Sequence, residues 1–153
     1  MPDEPSAVTP EGTAQIERLY PGFALLSILS LTAAGAVLGF AGVADMEAES
    51  GTAVMVYVAL GITGVTEPLL ARYVVLPPME RQGASRFNAI LLGYSLVSPG
   101  GVYALLGGIL SGEGWPALPL GAIALYAWAF IWMYTREWPE VAPPAPDEGT
   151  TWS

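Results

Sequence analysis

Inside the long apolar runs of this chain a single carboxylate occurs, Glu67, set in Gly61-Ile62-Thr63-Gly64-Val65-Thr66-Glu67-Pro68-Leu69-Leu70-Ala71-Arg72 beside a proline and two glycines. An acid in that setting has two chemistries open to it. It can bind and release a proton or cation, or it can act as a hydrogen-bonded strut between helices. Ionised in hydrocarbon it costs on the order of 3 kcal/mol, so it must be protonated, paired or facing a wet cavity. Pro68 cannot donate to the carbonyl of Gly64, which leaves a free acceptor one turn before the acid and predicts a kink. Thr63 lies four residues back on the same helical face. Arg72, five residues on, stands about 140° round the helix, too far for a good ion pair, and is expected to snorkel to the interface. Counted at 1.5 Å per residue from Val75, Glu67 lies about 12 Å in from the end of its run, level with Ser95 and with Ser27 to Ser30. Glu67, Thr63, Ser95, Ser27 and Ser30 are therefore the candidate proton or ion site, predicted to share one polar layer.

The residue types that are missing exclude much else. With no cysteine there is no disulfide, thiolate nucleophile or sulfur-bound metal, and with no histidine there is no imidazole ligand. With no lysine there is no Schiff base for a retinal. Paired aspartates, a His-bearing metal motif and a serine with a base are all absent from the runs, as is a phosphate-cradling G-x-x-x-x-G-K loop. No enzyme activity, cofactor or metal is expected. The formal charge is −9 and arginine is the only base, which argues against nucleic-acid binding and against general attraction to anionic lipid surfaces.

The elements that must position these residues follow from four apolar runs, about Pro21 to Val43, Thr52 to Val75, Phe87 to Leu110 and Leu118 to Tyr134. Each approaches or exceeds the roughly 20 residues that a helix needs to cross a bilayer core. Their apolar and small residues lie all round the helix rather than on one stripe, unlike a soluble bundle. The fold class is an all-α integral membrane protein with four transmembrane helices at about 21–43, 52–75, 87–110 and 118–138. Residues 1–15 and 139–153, acidic and rich in proline, are expected to be disordered tails around a 16–138 membrane domain. Arg18, Arg72, Arg81, Arg86 and Arg136 all fall on one side of that topology, while the loops Ala44 to Gly51 and Ser111 to Pro116 carry only acid. The positive-inside rule then places both termini in the cytoplasm or interior.

Packing signals are also legible. Gly35 and Gly39 form a GxxxG pair, and Gly100, Ala104 and Gly108 a second series of small residues, both suited to close helix approach within the bundle or to a second subunit. Pro99 frees the carbonyl of Ser95 and predicts a kink in the third helix. Pro21 suits a first helical position, and Pro77-Pro78 is expected to end the second helix. Glu80, Arg81 and Arg86 in the following link are read as solvated interface charges. Tyr126, Trp128, Phe130, Trp132, Tyr134 and Trp138 are read as an interfacial anchor belt.

Ala71-Arg72, the polar link with Pro77-Pro78, Leu91-Leu92 and Val102-Tyr103-Ala104-Leu105-Leu106 together resemble the proteolipid ring subunits of rotary ATP synthases. That family has an acid a few residues before its tyrosine segment. Ser98 stands there in this chain, so the resemblance does not carry a proton site with it. Small multidrug transporters are similar only in size and number of passes, which is an analogy of fold and not of function. The expectation is a non-enzymatic structural or accessory component of a homo-oligomeric or larger membrane assembly, in a cell membrane or viral envelope. Its partners would be the lipid bilayer and other membrane subunits. The alternative is a small proton- or ion-coupled transporter built on Glu67.

Overall fold

The computed structural model describes residues 10–42 and 50–139, and every regular element in them is helical. The elements are α1 (Pro10–Phe40), α2 (Ser50–Leu70), a π-helical turn (Ala71–Val75), α3 (Leu76–Arg81), α4 (Arg86–Val97), α5 (Pro99–Ser111) and α6 (Ala117–Arg136). They form four stretches long and apolar enough to cross a membrane: Ala14–Phe40, Val54–Arg81, Arg86–Ser111 and Ala117–Arg136. Most of both acidic tails, and Asp45, Glu47 and Glu49 of the first acidic loop, lie outside the described residues.

Two of the element boundaries differ from the sequence expectation. α1 begins at Pro10, inside the stretch read as a disordered tail, and passes through Pro21 without ending. The carbonyl of Pro21 is engaged by a neighbour, since Trp128 Nε1 donates to it at 2.9 Å. The second difference is that Pro77-Pro78 does not end the second span. The Leu76 N–H reaches back to the carbonyl of Ala71, a π-type bond, and the prolines then occupy the opening turn of α3. A first turn is where a helix tolerates residues without an N–H, so the π turn resets the hydrogen-bond ladder and the helix continues to Arg81.

The third stretch and α6 form the centre of the bundle. α1 packs against α5, α6 and α4, and α2 packs against α6, α5 and α4, whereas among the described residues α1 and α2 make no contact with each other. Glycine makes the closest of these contacts possible. A Cβ on Gly35 would stand 2.7 Å from both the Ala104 carbonyl and the Leu105 Cα, and one on Gly39 would meet the backbone of Gly108 and Gly114. Gly100 faces the other way, towards Ala124 of α6. The Gly100, Ala104, Gly108 series is thus divided between two partner helices. Gly114, at φ 74°, combines a left-handed backbone with a position that leaves no room for a side chain beside Ala36 and Phe40.

Near the arginine-bearing end, Tyr94 is fully buried between Tyr20 and Trp128, with ring centroids 6.2 and 6.3 Å away. Trp138 is also buried, and its Nε1 donates to the Ala84 carbonyl at 3.0 Å. Trp128, half-buried, and Trp138 thus each tie an indole N–H to a backbone carbonyl of another segment of the bundle. An indole N–H drawn into an apolar interior takes a backbone acceptor because leaving it unpaired is costly. The outward faces remain apolar, with Phe23, Val37, Phe40, Met55 and Ile62 each more than 60% exposed.

Candidate functional site

Glu67 sits on α2, half-buried, and accepts a 2.6 Å hydrogen bond at Oε1 from the Tyr103 hydroxyl of α5. The pair spans 36 positions of sequence and ties the peripheral α2 to the central stretch. Gly64, one turn before the acid, brings α2 close enough for this contact. A Cβ there would lie 3.3 Å from Ile123 and 3.8 Å from the Tyr103 ring. Pro68 is buried beside Glu67.

The other members of the candidate layer do not join it. Thr63 is exposed, and its hydroxyl donates to its own helix at the Ala59 carbonyl, 2.9 Å away. Ser95 is likewise exposed and donates to the Leu91 carbonyl at 2.6 Å. Ser27 and Ser30 are exposed on α1, which makes no contact with α2 among the described residues. The single polar layer is therefore not assembled: Thr63, Ser95, Ser27 and Ser30 face outward, and depth separates Ser95 further. The second span continues six residues past Val75, to Arg81. At 1.5 Å per residue this moves Glu67 about 9 Å deeper relative to the helix end, to the middle of its span. Ser95 is then too shallow to match it. Tyr103, eight residues or about 12 Å further along, lies nearer its level. A tyrosine well inside an apolar run was the available signal, because a buried phenol hydroxyl usually requires a partner.

At Pro99 the third stretch breaks as expected. Ser98 keeps right-handed helical φ and ψ and its N–H still bonds the Tyr94 carbonyl, but the ladder is interrupted at Pro99, and the Ser98 hydroxyl donates to the freed Ser95 carbonyl at 3.3 Å. A side chain thus takes the place of the N–H that proline lacks. Gly64 and Pro68 also border an apolar cavity of about 300 Å³ between α2 and α6, with Ile123, Tyr126 and Phe130 on its other side. Glu67 does not line that cavity. Among the described residues there is no cluster of acids able to hold a metal ion.

The charged end of the bundle carries two further arrangements. The Arg72 guanidinium lies 3.5 Å from the centroid of the Tyr134 ring, and the Tyr134 hydroxyl donates to Glu80 Oε2 at 2.7 Å. Arg72 therefore reaches an aromatic face on α6 instead of extending freely to the interface. Arg86, read as a solvated charge, is half-buried, and its Nε is buried without a hydrogen-bond partner. Comparison of the chain with known protein families, with curated proteins and with solved structures gives no match.

Proposed function

We propose that this chain is a non-enzymatic, four-pass integral membrane protein serving as a structural or accessory component of a larger or homo-oligomeric assembly, in a cell membrane or viral envelope. The observation that carries this reading is the closed Glu67–Tyr103 pair, which the hydroxyls of Thr63 and Ser95, spent on their own helices, do not join. Such a pair acts as a strut between α2 and the centre of the bundle, in the way polar side chains join helices in lipid. The exposed apolar faces suit a lipid environment or contact with further membrane helices. Arginines at the link and at the helix ends near both termini support an arrangement with both termini cytoplasmic or internal. Sizing in a mild detergent combined with cross-linking in membranes tests the proposal. A defined oligomer or a reproducible partner is expected, and a strict monomer without cross-links would defeat it.

A second reading has one observation in its favour. The Tyr103 bond engages Oε1 of Glu67, while Oε2 makes no hydrogen bond among the described residues, which leaves an acceptor for a proton or cation. A proton- or ion-coupled carrier would show pH-dependent flux in liposomes, and that flux would disappear in Glu67→Gln. Equal flux in the two proteins would end this alternative.

A further inference from the structure

Arg18, Arg86 and Arg136 are far apart in sequence, yet they line one cavity of about 230 Å³ with Glu17, Trp132 and Thr135. One carboxylate faces three guanidinium groups, and none of the three is in a salt bridge among the described residues. The cavity is large compared with the roughly 30 Å³ that a water molecule occupies in the liquid.

Two of the three donors are restrained by their surroundings, Arg86 by burial and Arg136 by an aromatic ring. Arg86 Nε is shielded from solvent and meets no acceptor. Nε is the one nitrogen of that guanidinium that is both buried and unpaired, so its terminal nitrogens are the donors an acceptor entering the cavity can reach. Arg136 lies over the Trp132 ring, 5.3 Å from its centroid, which restrains a side chain that would otherwise move freely. Arg86 is also the first residue of α4, where the positive end of the helix dipole adds to its charge. Ser85 caps that helix by accepting from the Asn88 N–H at 3.3 Å.

Position within the bundle narrows the ligand. Arg86 begins the third membrane-length stretch and Arg136 ends the fourth, so the cavity lies at the rim of the apolar bundle. That is the level at which a bilayer presents its phosphates. Guanidinium groups match phosphate oxygens through paired, charge-assisted N–H donors. We propose that this cavity binds a phosphate group, presented by the headgroup of an anionic phospholipid. The overall charge of −9 opposes general attraction to anionic membranes, whereas a pocket that gathers three of the five arginines acts locally.

The test uses the full chain in a nonionic detergent. Binding of phosphatidylglycerol is followed by native mass spectrometry and by Trp fluorescence, with inorganic phosphate as a parallel arm. Phosphatidylglycerol is expected to bind, and Arg86→Gln to weaken it about tenfold, the loss of roughly one charge-assisted hydrogen bond. Arg81→Gln, an exposed arginine outside the cavity, should leave binding unchanged. Arg18→Gln and Arg136→Gln carry the same comparison if Arg86→Gln does not elute as a folded species. No binding, or equal loss in Arg81→Gln and the cavity variants, overturns the site. Saturation by inorganic phosphate with no added contribution from the lipid overturns the lipid source and assigns the cavity to free phosphate.

Discussion

The Tyr103 hydroxyl and the Glu67 carboxylate meet at 2.6 Å between α5 and α2, joining the one acid deep in the spans to a helix 36 residues away. Loss of either partner leaves the other with an unpaired polar group. Tyr103→Phe is expected to destabilise the protein by about 1–2 kcal/mol, a range set by interhelical hydrogen bonds in membranes and by the cost of unsatisfied groups. Glu67→Gln keeps an amide oxygen as acceptor and should cost less. A double-mutant cycle read by thermal denaturation in detergent checks the pair. Additive single-variant effects would show that the two groups are not coupled.

Gly35 and Gly22 lie on the same helix and should respond in opposite ways. A methyl group at Gly35 meets the Ala104 carbonyl and Leu105 Cα at 2.7 Å, and backbone atoms cannot move aside cheaply. Gly35→Ala should therefore cost about 1–3 kcal/mol by overpacking. Gly22 has nothing within 4 Å of the same added atom, and Gly22→Ala should be neutral or stabilising by up to about 1 kcal/mol. Melting temperatures of the two variants in one detergent make the comparison.

Tyr94 is fully buried, and its hydroxyl has no hydrogen-bond partner. Thr135 lies beside it, but the Thr135 hydroxyl donates to the Ile131 and Trp132 carbonyls, and the two side chains do not meet in bonding geometry. Tyr94→Phe removes the unpaired group and keeps the ring packed on Tyr20 and Trp128. It should be neutral or stabilising by about 1 kcal/mol, whereas Tyr94→Ala should cost about 3–5 kcal/mol as a core truncation. Marked destabilisation by Tyr94→Phe would mean that the hydroxyl is satisfied in solution.

Tyr134 uses two features, its ring face towards Arg72 and its hydroxyl towards Glu80. Tyr134→Phe separates them. It should lose only the hydroxyl contribution, while Tyr134→Leu should cost a further 0.5–1 kcal/mol or about that, the usual worth of a cation–π contact at an exposed site. Identical losses in the two variants would exclude the Arg72 contact as a stabilising one.

Much of the architecture was legible because its signals are local. Four apolar stretches can be read from composition and length alone, and Pro99 announces its own break because a missing N–H needs no tertiary context. The small-residue series at Gly35 and Gly39 signals close approach in the same way, although sequence could not say which helix approaches. The end of the second span was misread because Pro77-Pro78 normally stops a helix. A π turn at Ala71–Val75 shifts the hydrogen-bond register and carries the helix past them. That one error displaced Glu67 relative to its neighbours and paired it with Ser95 in place of Tyr103.

The amino-acid sequence by itself determined the helical class, the number of membrane-length stretches, the absence of cysteine, histidine and lysine, and the singularity of Glu67 among acids inside the apolar runs. These depend on composition and on hydropathy along the chain, which are one-dimensional quantities. The tertiary structure alone decided that Glu67 faces Tyr103, that Trp128 and Trp138 turn inward, and that Arg18, Arg86 and Arg136 surround one cavity. Each of those outcomes depends on which helices are neighbours and on their relative depth. A π turn that lets the helix continue six residues past Val75 moves the helix end by about 9 Å without altering the hydropathy pattern at all.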